Sequence, residues 1–467
     1  MKKYDVIVIG MGPAGMAVSG MAPTMGLKVL AIEDHKVGGE CLNYGCVPSK
    51  ALLKAGETNF NANNMEKFGI ELSGSTKVIK PLEIVRDKVS QINGPKTMRM
   101  FNKVDFVLNE GKAKFVDSHT VQVGDKQYTG KTIFIATGTK PFIPPIPGLD
   151  SVPKLTNLNM FAQEEIPKTL TVIGGGAIGT EMAQAFSRLG SNVTLVQMDP
   201  HLIPIGDEEA GKLLENEFNK ENIKVFNSTK IEKVEQIDGI IYTHTDKGVF
   251  ESEKILVATG RQPVLEPLAL ENAGIEYTKQ GIVVDEFNRT SQPHIYAIGD
   301  CNGKAQLSHA AMHQGMLALM NSLSPQPMGK LKRSNFLVPW SVFTKPEIAQ
   351  VGMTEKQAKE AGINYFVVKE DYENYGRTIT DGQPVGFVKV LTDEQGKIYG
   401  VSIIGEAASE LIHEWTLAMQ NNLTIFDIAM MQHSFPTISL MNKRAAEQWM
   451  MRMVKTGKIA NLMNKIL

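Results

Sequence analysis

The stretch that decides the fold is Tyr4-Asp5-Val6-Ile7-Val8-Ile9-Gly10-Met11-Gly12-Pro13-Ala14-Gly15. Its first half is rich in Val and Ile and predicts a buried strand, which runs directly into three spaced glycines. A helical stretch then extends to about residue 25, and a second strand, residues 28–32, ends at Glu33. This order is typical of a dinucleotide-binding unit, in which the glycine loop and helix N-terminus receive a pyrophosphate and the acid accepts hydrogen bonds from ribose hydroxyls. A merely tight glycine-rich turn is the alternative interpretation.

The pattern occurs a second time further along the chain. A strand at residues 169–173 runs into Gly174, Gly176 and Gly179, and a following strand, residues 192–196, ends at Gln197. Gln197 and Glu33 lie at the same offset from the first glycine of their units, and both units close with a similar apolar strand, residues 133–138 and 255–260. Two such units predict an α/β protein that binds two dinucleotides and passes a hydride between them.

The rest of the chain divides around these two units. A strand at residues 294–298 leads to Asp300, an acid suited to a ribose or ribityl hydroxyl, although an ordinary strand-end Asp is the alternative. A Pro-rich stretch, residues 141–148, predicts a linker, and the pattern of strands and helices after about residue 335 predicts a separate α+β domain. We therefore expect a first dinucleotide domain at 1–147 and 268–334, a second at 148–267, and a C-terminal domain at 335–467.

Composition narrows the class of protein. The chain of 467 residues has a net charge of −1, which gives no reason to expect a nucleic-acid partner. It holds no run of about 18 apolar residues, so we expect no membrane span. The segment before residue 22 could be read as a secretory signal, but removing it would destroy the first glycine motif. Three cysteines do not make a secreted disulfide scaffold, and a cytoplasmic location is predicted.

Two of those cysteines form the most informative local motif, Gly38-Gly39-Glu40-Cys41-Leu42-Asn43-Tyr44-Gly45-Cys46-Val47-Pro48-Ser49-Lys50. Gly45 between the thiols eases the closing of a small disulfide loop. A zinc site would need two further ligands nearby, and none is evident, so no metal ligand is assigned. The pair is interpreted as a redox centre.

In this order, the motifs resemble the class I pyridine nucleotide–disulfide oxidoreductases over nearly the whole chain, and dihydrolipoamide dehydrogenases most. The matching segments are residues 10–15, 41–50, 136–138, 174–181, 299–300 and 343–349. The resemblance implies a homodimeric enzyme, with an active site shared across the interface, that moves electrons from a nicotinamide nucleotide through FAD to the cysteine pair. It makes Cys46 the flavin-proximal thiolate and Cys41 the outer thiol that meets a small-molecule acceptor.

The resemblance also assigns binding residues. Those expected to bind FAD are Gly10, Gly12, Gly15, Glu33, Gly39, Lys50, Ala113, Thr137, Gly138, Asp300, Leu307, Ser308 and His309. Those expected to bind NAD(P)H are Gly174, Gly176, Gly179, Glu181, Gln197 and Gly260. Lys50, one helical turn beyond Cys46, can supply the positive charge that favours a thiolate, and Glu181 matches its acidic partner. Plain surface charges are the alternative for Lys50 and Glu181, and Cys301 is expected to be a buried bystander.

Two departures from the family pattern limit the functional assignment. Disulfide reductases of the family carry His-Pro-Thr-x-Ser-Glu near the C-terminus, and the histidine is the acid–base group for the outer thiol. Here the matching stretch is Phe435-Pro436-Thr437-Ile438-Ser439-Leu440, without the histidine or the glutamate. His433 is a substitute base or a structural histidine. The family's mercuric reductases and soluble transhydrogenases also lack the histidine, but the former have C-terminal vicinal cysteines and the latter usually lack the redox pair.

The second departure concerns the electron donor. NAD-preferring relatives tend to have Glu where this chain has Gln197, and NADP-preferring ones place arginines just after it. No arginine follows here, so NADH is favoured, while the neutral Gln197 leaves NADPH open.

Several alternatives therefore stay open. Besides dithiol–disulfide exchange, the acceptor could be a metal ion, a quinone or another small oxidant, and transhydrogenase or diaphorase activity fits the same motifs. A noncatalytic flavoprotein scaffold is disfavoured by the intact cysteine pair. Met430, Met431 and Met441 bracket the altered motif and are interpreted as packing rather than a soft-metal site. The segment 448–467 is an interfacial membrane helix or, more in keeping with a dimer, a docked terminal helix.

Overall fold

A mixed seven-stranded sheet and a parallel five-stranded sheet, each built around one of the glycine loops, and an antiparallel five-stranded sheet form the framework of this protein. The structure is a computed structural model that describes residues 2–93, 95–324 and 331–456. It confirms the expected α/β class with two Rossmann-like units followed by a C-terminal α+β region.

The first sheet contains the N-terminal strand at its centre. Its strands are β1 (Lys2–Ile9), β2 (Val29–Glu33), β3 (Val104–Leu108), β4 (Lys114–Phe115), β5 (Thr120–Val123) and β6 (Lys126–Ile135). The helices of this region are α1 (Pro13–Met21), α2 (Gly39–Tyr44), α3 (Cys46–Ala62), α4 (Pro81–Ile92) and α5 (Pro95–Arg99). β1 pairs in parallel with both β2 and β6. The predicted helix to residue 25 is shorter, because a 3-10 turn containing Pro23 (Ala22–Met25) follows α1.

The second sheet is a five-stranded parallel sheet. The strands of this region are β7 (Thr139–Pro141), β8 (Lys154–Leu155), β9 (Thr169–Ile173), β10 (Asn192–Val196), β11 (Lys224–Phe226), β12 (Ile231–Ile237), β13 (Ile240–Thr245), β14 (Gly248–Ser252), β15 (Lys254–Val257) and β16 (Arg261–Pro263). Its helices are α6 (Ala177–Arg188) and α7 (Glu208–Lys220). The sheet order is β11-β10-β9-β15-β8, and β12, β13 and β14 form a separate antiparallel sheet. β7 and β16 pair with each other, so the chain enters and leaves this region along two adjacent strands.

After β16 the chain returns from the second region to the first sheet. The elements are β17 (Tyr277–Thr278), β18 (Gly281–Ile282), β19 (Ile295–Ala297) and α8 (Ser308–Leu323). β19 adds to the sheet beside β6 in parallel, and α8 packs against α1. The loop after β19 is thereby brought to the same sheet edge as the first glycine loop.

The C-terminal region is an antiparallel sheet with helices packed on it. Its strands are β20 (Trp340–Val342), β21 (Glu347–Gly352), β22 (Phe366–Asp371), β23 (Phe387–Thr392) and β24 (Ile398–Gly405). Its helices are α9 (Glu355–Glu360), α10 (Gly376–Thr380), α11 (Ala408–Gln420), α12 (Ile425–Met430) and α13 (Leu440–Lys455). The sheet order is β20-β21-β24-β23-β22.

Helix α13 is docked on this region rather than free. Trp449 and Met453 are buried in the C-terminal core together with Met441 and Trp415. The part of the segment 448–467 beyond residue 456 lies outside the described residues. Within the described ranges, no helix is long and apolar enough to cross a membrane.

One hydrophobic cluster joins the three regions. Leu52 of α3, Phe186 of α6 and Phe387 of β23 belong to the same buried cluster. Complete burial of such a side chain contributes roughly 1.5–3 kcal/mol relative to its exposure, so this shared core holds the regions in a defined relation. Helix α6 is buried all along residues 179–186, because it is covered from several sides at once.

Candidate functional site

The first glycine loop forms a cradle with free space above its middle glycine. A Cβ on Gly10 would lie 2.4 Å from the carbonyl oxygen of Ala136, and one on Gly15 would lie 1.9 Å from that of Gly10, whereas Gly12 has nothing within 4 Å. No side chain caps α1 at Gly12, so the first N–H groups of the helix point toward this space. Tight packing on either side of an open, donor-rich position fits a pyrophosphate.

Glu33 lies beside this cradle at the end of β2. Its two carboxylate oxygens accept the backbone N–H groups of Met11, at 2.8 Å, and His35, at 2.9 Å. Burial raises the pKa of the Glu33 carboxyl group, and the two backbone donors oppose that rise. Each carboxylate oxygen keeps further acceptor capacity, which a ribose hydroxyl can use.

The loop after β19 completes this edge of the first sheet. Gly299 packs so closely against Ala311 of α8 and Ala14 of α1 that a Cβ would lie 3.1 Å and 3.3 Å from theirs. Asp300 follows, and its carboxylate accepts a hydrogen bond from the Thr139 hydroxyl at 3.1 Å. Burial raises the pKa of Asp300. Asp300, the acid predicted from sequence, thus lies at the same edge as the first cradle, and its carboxylate can accept hydrogen bonds from the hydroxyl groups of FAD.

The second glycine loop repeats this geometry. A Cβ on Gly174 would lie 2.5 Å from the Ala258 carbonyl oxygen, and one on Gly179 would lie 1.8 Å from that of Gly174, while Gly176 has nothing within 4 Å. α6 also begins without a side-chain cap. The structure therefore contains two cradles of the same design, as the sequence pattern predicts.

The cysteine pair lies next to the first cradle. A Cβ on Gly39 would lie 2.7 Å from the Cα of Gly12, so the segment that carries the pair touches the open glycine. Cys41 lies in α2 and Cys46 is the first residue of α3, with Gly45 between the two helices. All three cysteines are free thiols; Cys46 is exposed, Cys41 half-buried and Cys301 fully buried, as expected of a bystander.

The two thiols differ in acidity. Hydrogen bonds from the Cys41 thiol and the Ser308 hydroxyl, together with the charge of Lys50, lower the pKa of Cys46 to about 6. The Ser308 oxygen lies 3.2 Å from the Cys46 sulfur. The position at a helix N-terminus acts in the same direction. The hydrogen bond with Cys46, and burial, raise the pKa of Cys41. Cys46 is therefore the thiolate of the pair and Cys41 the protonated thiol.

This asymmetry predicts the pH dependence of alkylation. Because the Cys46 pKa of about 6 lies below that of an ordinary thiol, its thiolate is complete above about pH 7 and is lost as the pH falls through 6. We expect the rate of iodoacetamide modification at Cys46 to drop about tenfold per pH unit below 6 and to be level above pH 7. Peptide mass spectrometry of the reduced protein measures the rate of modification at Cys46. A rate that still rises between about pH 7.5 and 9 would contradict the assignment, since that is ordinary thiol behaviour.

Lys50 is held by a carboxylate from the second unit. Its ammonium group donates to both oxygens of Glu181, at 2.9 Å and 2.7 Å, and lies 4.3 Å from the centre of the Phe343 ring. The backbone N–H of Phe343 donates to the same carboxylate at 3.0 Å. The side chain of Glu181 is only 5% exposed. These contacts exclude the alternative that Lys50 and Glu181 are plain surface charges.

A second ion pair near the thiols was not predicted. Arg261 donates to the carboxylate of Glu40, the residue before Cys41, and also to the Thr139 hydroxyl at 2.7 Å and carbonyl at 3.0 Å. Asn157 donates to the same Glu40 carboxylate at 3.0 Å. Two features of the sequence could have indicated this ion pair: a charged residue directly before the outer cysteine and an arginine directly after Gly260.

The remaining predicted positions lie around this edge or in the core beneath it. The Thr137 hydroxyl donates to the Val264 carbonyl, Gly138 and Gly260 have left-handed backbone, and an imidazole nitrogen of His309 lies 2.7 Å from the Pro339 carbonyl oxygen. Leu307 immediately precedes α8. Ala113 is buried among hydrophobic side chains of the first sheet.

Phe435 of the altered C-terminal motif is exposed, whereas the side chain of His433, two residues earlier, is buried. Phe435 is 79% exposed, in a turn of the segment between α12 and α13. The His433 side chain is 3% exposed, with one ring nitrogen 3.0 Å from a Glu414 carboxylate oxygen and the other 3.4 Å from the Met431 carbonyl oxygen. Within one subunit this burial favours the structural alternative for His433.

Over the described ranges, no group of three or more His, Cys, Asp or Glu side chains is arranged to hold a metal ion. Of the three methionines that bracket the altered motif, Met441 is buried in the C-terminal core, while Met430 and Met431 are exposed.

Comparisons with known proteins agree with this geometry. The profile of the family described as pyridine nucleotide-disulphide oxidoreductase matches residues 4–315, and that of its dimerisation domain matches residues 338–446. A dihydrolipoyl dehydrogenase of Thermus scotoductus is 39% identical over 460 residues, 96% of this chain and 97% of the relative. A mercuric reductase of Bacillus cereus is 36% identical, over 91% of this chain and 68% of the relative.

A solved structure extends the comparison. The Cu(II) complex of the HOCl-induced flavoprotein disulfide reductase RclA from Escherichia coli superposes with a TM-score of 0.86 at 25% identity. The match covers 96% of this chain and 99% of that one.

Proposed function

Because this chain belongs to the pyridine nucleotide-disulphide oxidoreductase family, an FAD-dependent class of enzymes with a pyridine nucleotide as electron donor, we propose that its cysteine pair reduces a thiophilic metal ion such as Cu(II). The observation that carries this proposal is Phe435, a 79% exposed hydrocarbon where disulfide reductases of the family have their acid–base histidine. Reduction of a metal ion by a thiolate needs no proton transfer to the acceptor, so it needs no such base. Similarity to a mercuric reductase and to a flavoprotein solved as a Cu(II) complex supports the same acceptor class.

In the proposed reaction the cysteine pair is the immediate electron donor. Cys46, the thiolate, and Cys41, the thiol, together lose two electrons and form one S–S bond. Two Cu(II) ions each gain one electron to become Cu(I), and the proton of Cys41 passes to solvent. Lys50 favours the thiolate before this step, and the Ser308 hydroxyl lies within hydrogen-bond distance of it.

We assign the cofactor-binding residues as part of this proposal. When bound, FAD supplies a carrier that takes two electrons from the nicotinamide and delivers them to the Cys41–Cys46 disulfide. The residues proposed to hold it are Gly10, Gly12, Gly15, Glu33, Gly39, Lys50, Ala113, Thr137, Gly138, Asp300, Leu307, Ser308 and His309. Those proposed for the nicotinamide nucleotide are Gly174, Gly176, Gly179, Glu181, Gln197 and Gly260. NADH is the proposed donor, because residues 198–203, just after Gln197, include no arginine.

The match to the dimerisation domain supports a homodimer. We propose that the active site is shared across its interface. We also propose that residues 1–147 with 268–334 form the FAD domain, 148–267 the NAD(P) domain and 335–467 the interface domain. A reducing compartment such as the cytoplasm suits a dithiol that has to be kept reduced.

The test is an anaerobic assay of NADH oxidation with Cu(II), using a chromogenic Cu(I) chelator. Two Cu(I) ions should appear per NADH oxidised, and Cu(II) should be turned over faster than lipoamide. The double variant Cys41→Ser/Cys46→Ser measures electron leakage that bypasses the thiols. Faster turnover of lipoamide, or Cu(II) reduction unchanged in the double variant, would overturn the proposal.

A disulfide of the lipoamide type is the second candidate acceptor. It is favoured by the 39% identity to a dihydrolipoyl dehydrogenase over nearly the whole chain. In this case the missing base limits the rate, since a positioned general base contributes roughly 10²–10⁴-fold.

Restoring the base tests this limit. Phe435→His combined with Leu440→Glu should raise lipoamide turnover at least about tenfold, part of the contribution of a general base, and should leave Cu(II) reduction unchanged. Steady-state kinetics with both acceptors measures the effect, with Phe435→Leu and Leu440→Gln as the matched control. No gain with lipoamide would mean that the missing pair is not what separates this protein from disulfide reductases.

A further inference from the structure

Gln197, at the end of β10, forms its side-chain hydrogen bonds within the protein. Gln197 is 5% exposed, and its amide oxygen accepts the Gly175 N–H at 2.7 Å. Its amide nitrogen donates to a carboxylate oxygen of Asp199 and to the carbonyl oxygen of His201, both at 3.3 Å. Both amide hydrogens are therefore engaged, and none is left for a nucleotide.

The two nucleotide-binding units differ in where the negative charge lies. Glu33 accepts the N–H of Met11, as Gln197 accepts that of Gly175, so the two side chains occupy equivalent places. In the first unit the negative charge lies on the strand-end residue itself. In the second unit that residue is neutral, and the nearest negative charge is Asp199, two residues further on.

The loop that carries Asp199 is fixed to the second cradle. The Ile203 N–H donates to the Gly175 carbonyl at 2.9 Å, and the Ser228 N–H donates to the Asp199 carbonyl at 3.0 Å. Asp199 is exposed. One of its carboxylate oxygens accepts from Gln197, and the other accepts no hydrogen bond from the part of the chain that the structure describes. A positioned carboxylate with an unused oxygen is the acceptor that a ribose 2′-hydroxyl requires.

The Asp199 carboxylate has no lysine or arginine partner in the part of the chain that the structure describes. None of the lysines and arginines in the described ranges forms an ion pair with Asp199, and residues 197–203 include neither residue type. A 2′-phosphate at this place would meet a like charge without a cation to neutralise it.

We infer that Asp199, rather than Gln197, is the residue that selects NADH over NADPH. This inference rests on the proposed binding of the nicotinamide nucleotide at the second cradle. It makes Asp199 the ribose acceptor. Gln197 then contributes to the nucleotide site as a positioning residue, which holds the Asp199 carboxylate through its amide nitrogen rather than by its own contact with the ribose.

The test is equilibrium binding of NAD⁺ and NADP⁺ to the FAD-loaded enzyme, measured by titration calorimetry. In Asp199→Asn the ratio of the NADP⁺ to the NAD⁺ dissociation constant should fall about tenfold, and the wild-type ratio should decrease as ionic strength is raised. Asp238→Asn, which removes the same charge from the exposed turn between β12 and β13, is the matched control and should leave the ratio unchanged.

Two results would overturn the inference. One is an unchanged ratio in Asp199→Asn; if both affinities fall equally, Asp199 only shapes the loop. The other is a wild-type enzyme that binds NADP⁺ at least as tightly as NAD⁺. Binding of oxidised nucleotides involves neither the thiols nor the acceptor. Failure here therefore leaves the proposed metal reduction standing, and failure of the Cu(II) assay leaves this measurement valid.

Discussion

Replacing Cys46 with serine should lower NADH-driven reduction of the acceptor by at least about 10³-fold, the scale on which enzymes lose rate when their nucleophile is removed. The reason is that a serine hydroxyl neither ionises near neutral pH nor forms a disulfide with Cys41. The pKa of about 6 makes Cys46 the only one of the three thiols that is largely ionised at pH 7. Steady-state consumption of NADH with Cu(II) and with lipoamide measures the loss.

Cys301→Ser is the matched control for this substitution. Cys301 is fully buried, burial raises its pKa to about 12, and its thiol contacts the carbonyl oxygens of Ile135 and Ile298. A serine can make the same contacts, so acceptor reduction should stay close to that of the wild type. Retention of activity in Cys46→Ser would mean that electrons reach the acceptor without the thiol pair.

Lys50→Met should both destabilise the protein and weaken the Cys46 thiolate. Among the described residues, Glu181 would keep only the Phe343 N–H as a hydrogen-bond partner, although its side chain is 5% exposed. Breaking a fully buried ion pair costs about 3–5 kcal/mol; Lys50 is still 37% exposed, so we expect roughly 2–3 kcal/mol here. Removing the ammonium charge also raises the pKa of Cys46 above its present value of about 6.

Urea unfolding measures the first effect, and thiolate absorbance near 240 nm as a function of pH measures the second. Lys54→Met is the matched control, because Lys54 lies one turn further along α3 in an ion pair with Glu57 and its side chain is 73% exposed. An exposed pair of this kind contributes about 0–1 kcal/mol. Lys50→Arg should restore most of the thiolate. A loss in Lys50→Met no larger than that in Lys54→Met would show that the Glu181 pair is not a buried interaction.

The local motifs of this protein were predictable because they depend on residues that are close in sequence. The strand–glycine–helix order around Gly10 and Gly174 specifies its own backbone, and the predicted strands 169–173 and 192–196 coincide with β9 and β10. Lys50 lies in α3 one helical turn after Cys46, as the spacing of the two residues predicts.

The interactions that adjust the site were not predictable in the same way. Arg261 and Glu40 are 221 residues apart in the chain, and Arg261 lies in β16, which pairs with β7. The use of Gln197 within the protein was also hidden, because a glutamine gives no sign in sequence of whether its amide faces a ligand or its own backbone. Long-range partners of polar side chains depend on how the sheets are assembled, which periodicity does not report.

The carboxylate of Glu181 has a consequence for how this chain could have been assembled in evolution. Its partners are Lys50 from the first nucleotide-binding unit and the backbone N–H of Phe343 from the C-terminal region, while Glu181 itself belongs to the second unit. The family profiles divide the chain at residues 315 and 338, as if two modules had been joined. Lys50 and Glu181 both lie in the first module, and the second contributes a backbone N–H, so any second module joined to the first has to place a backbone donor at this point for the buried carboxylate to keep all its hydrogen bonds.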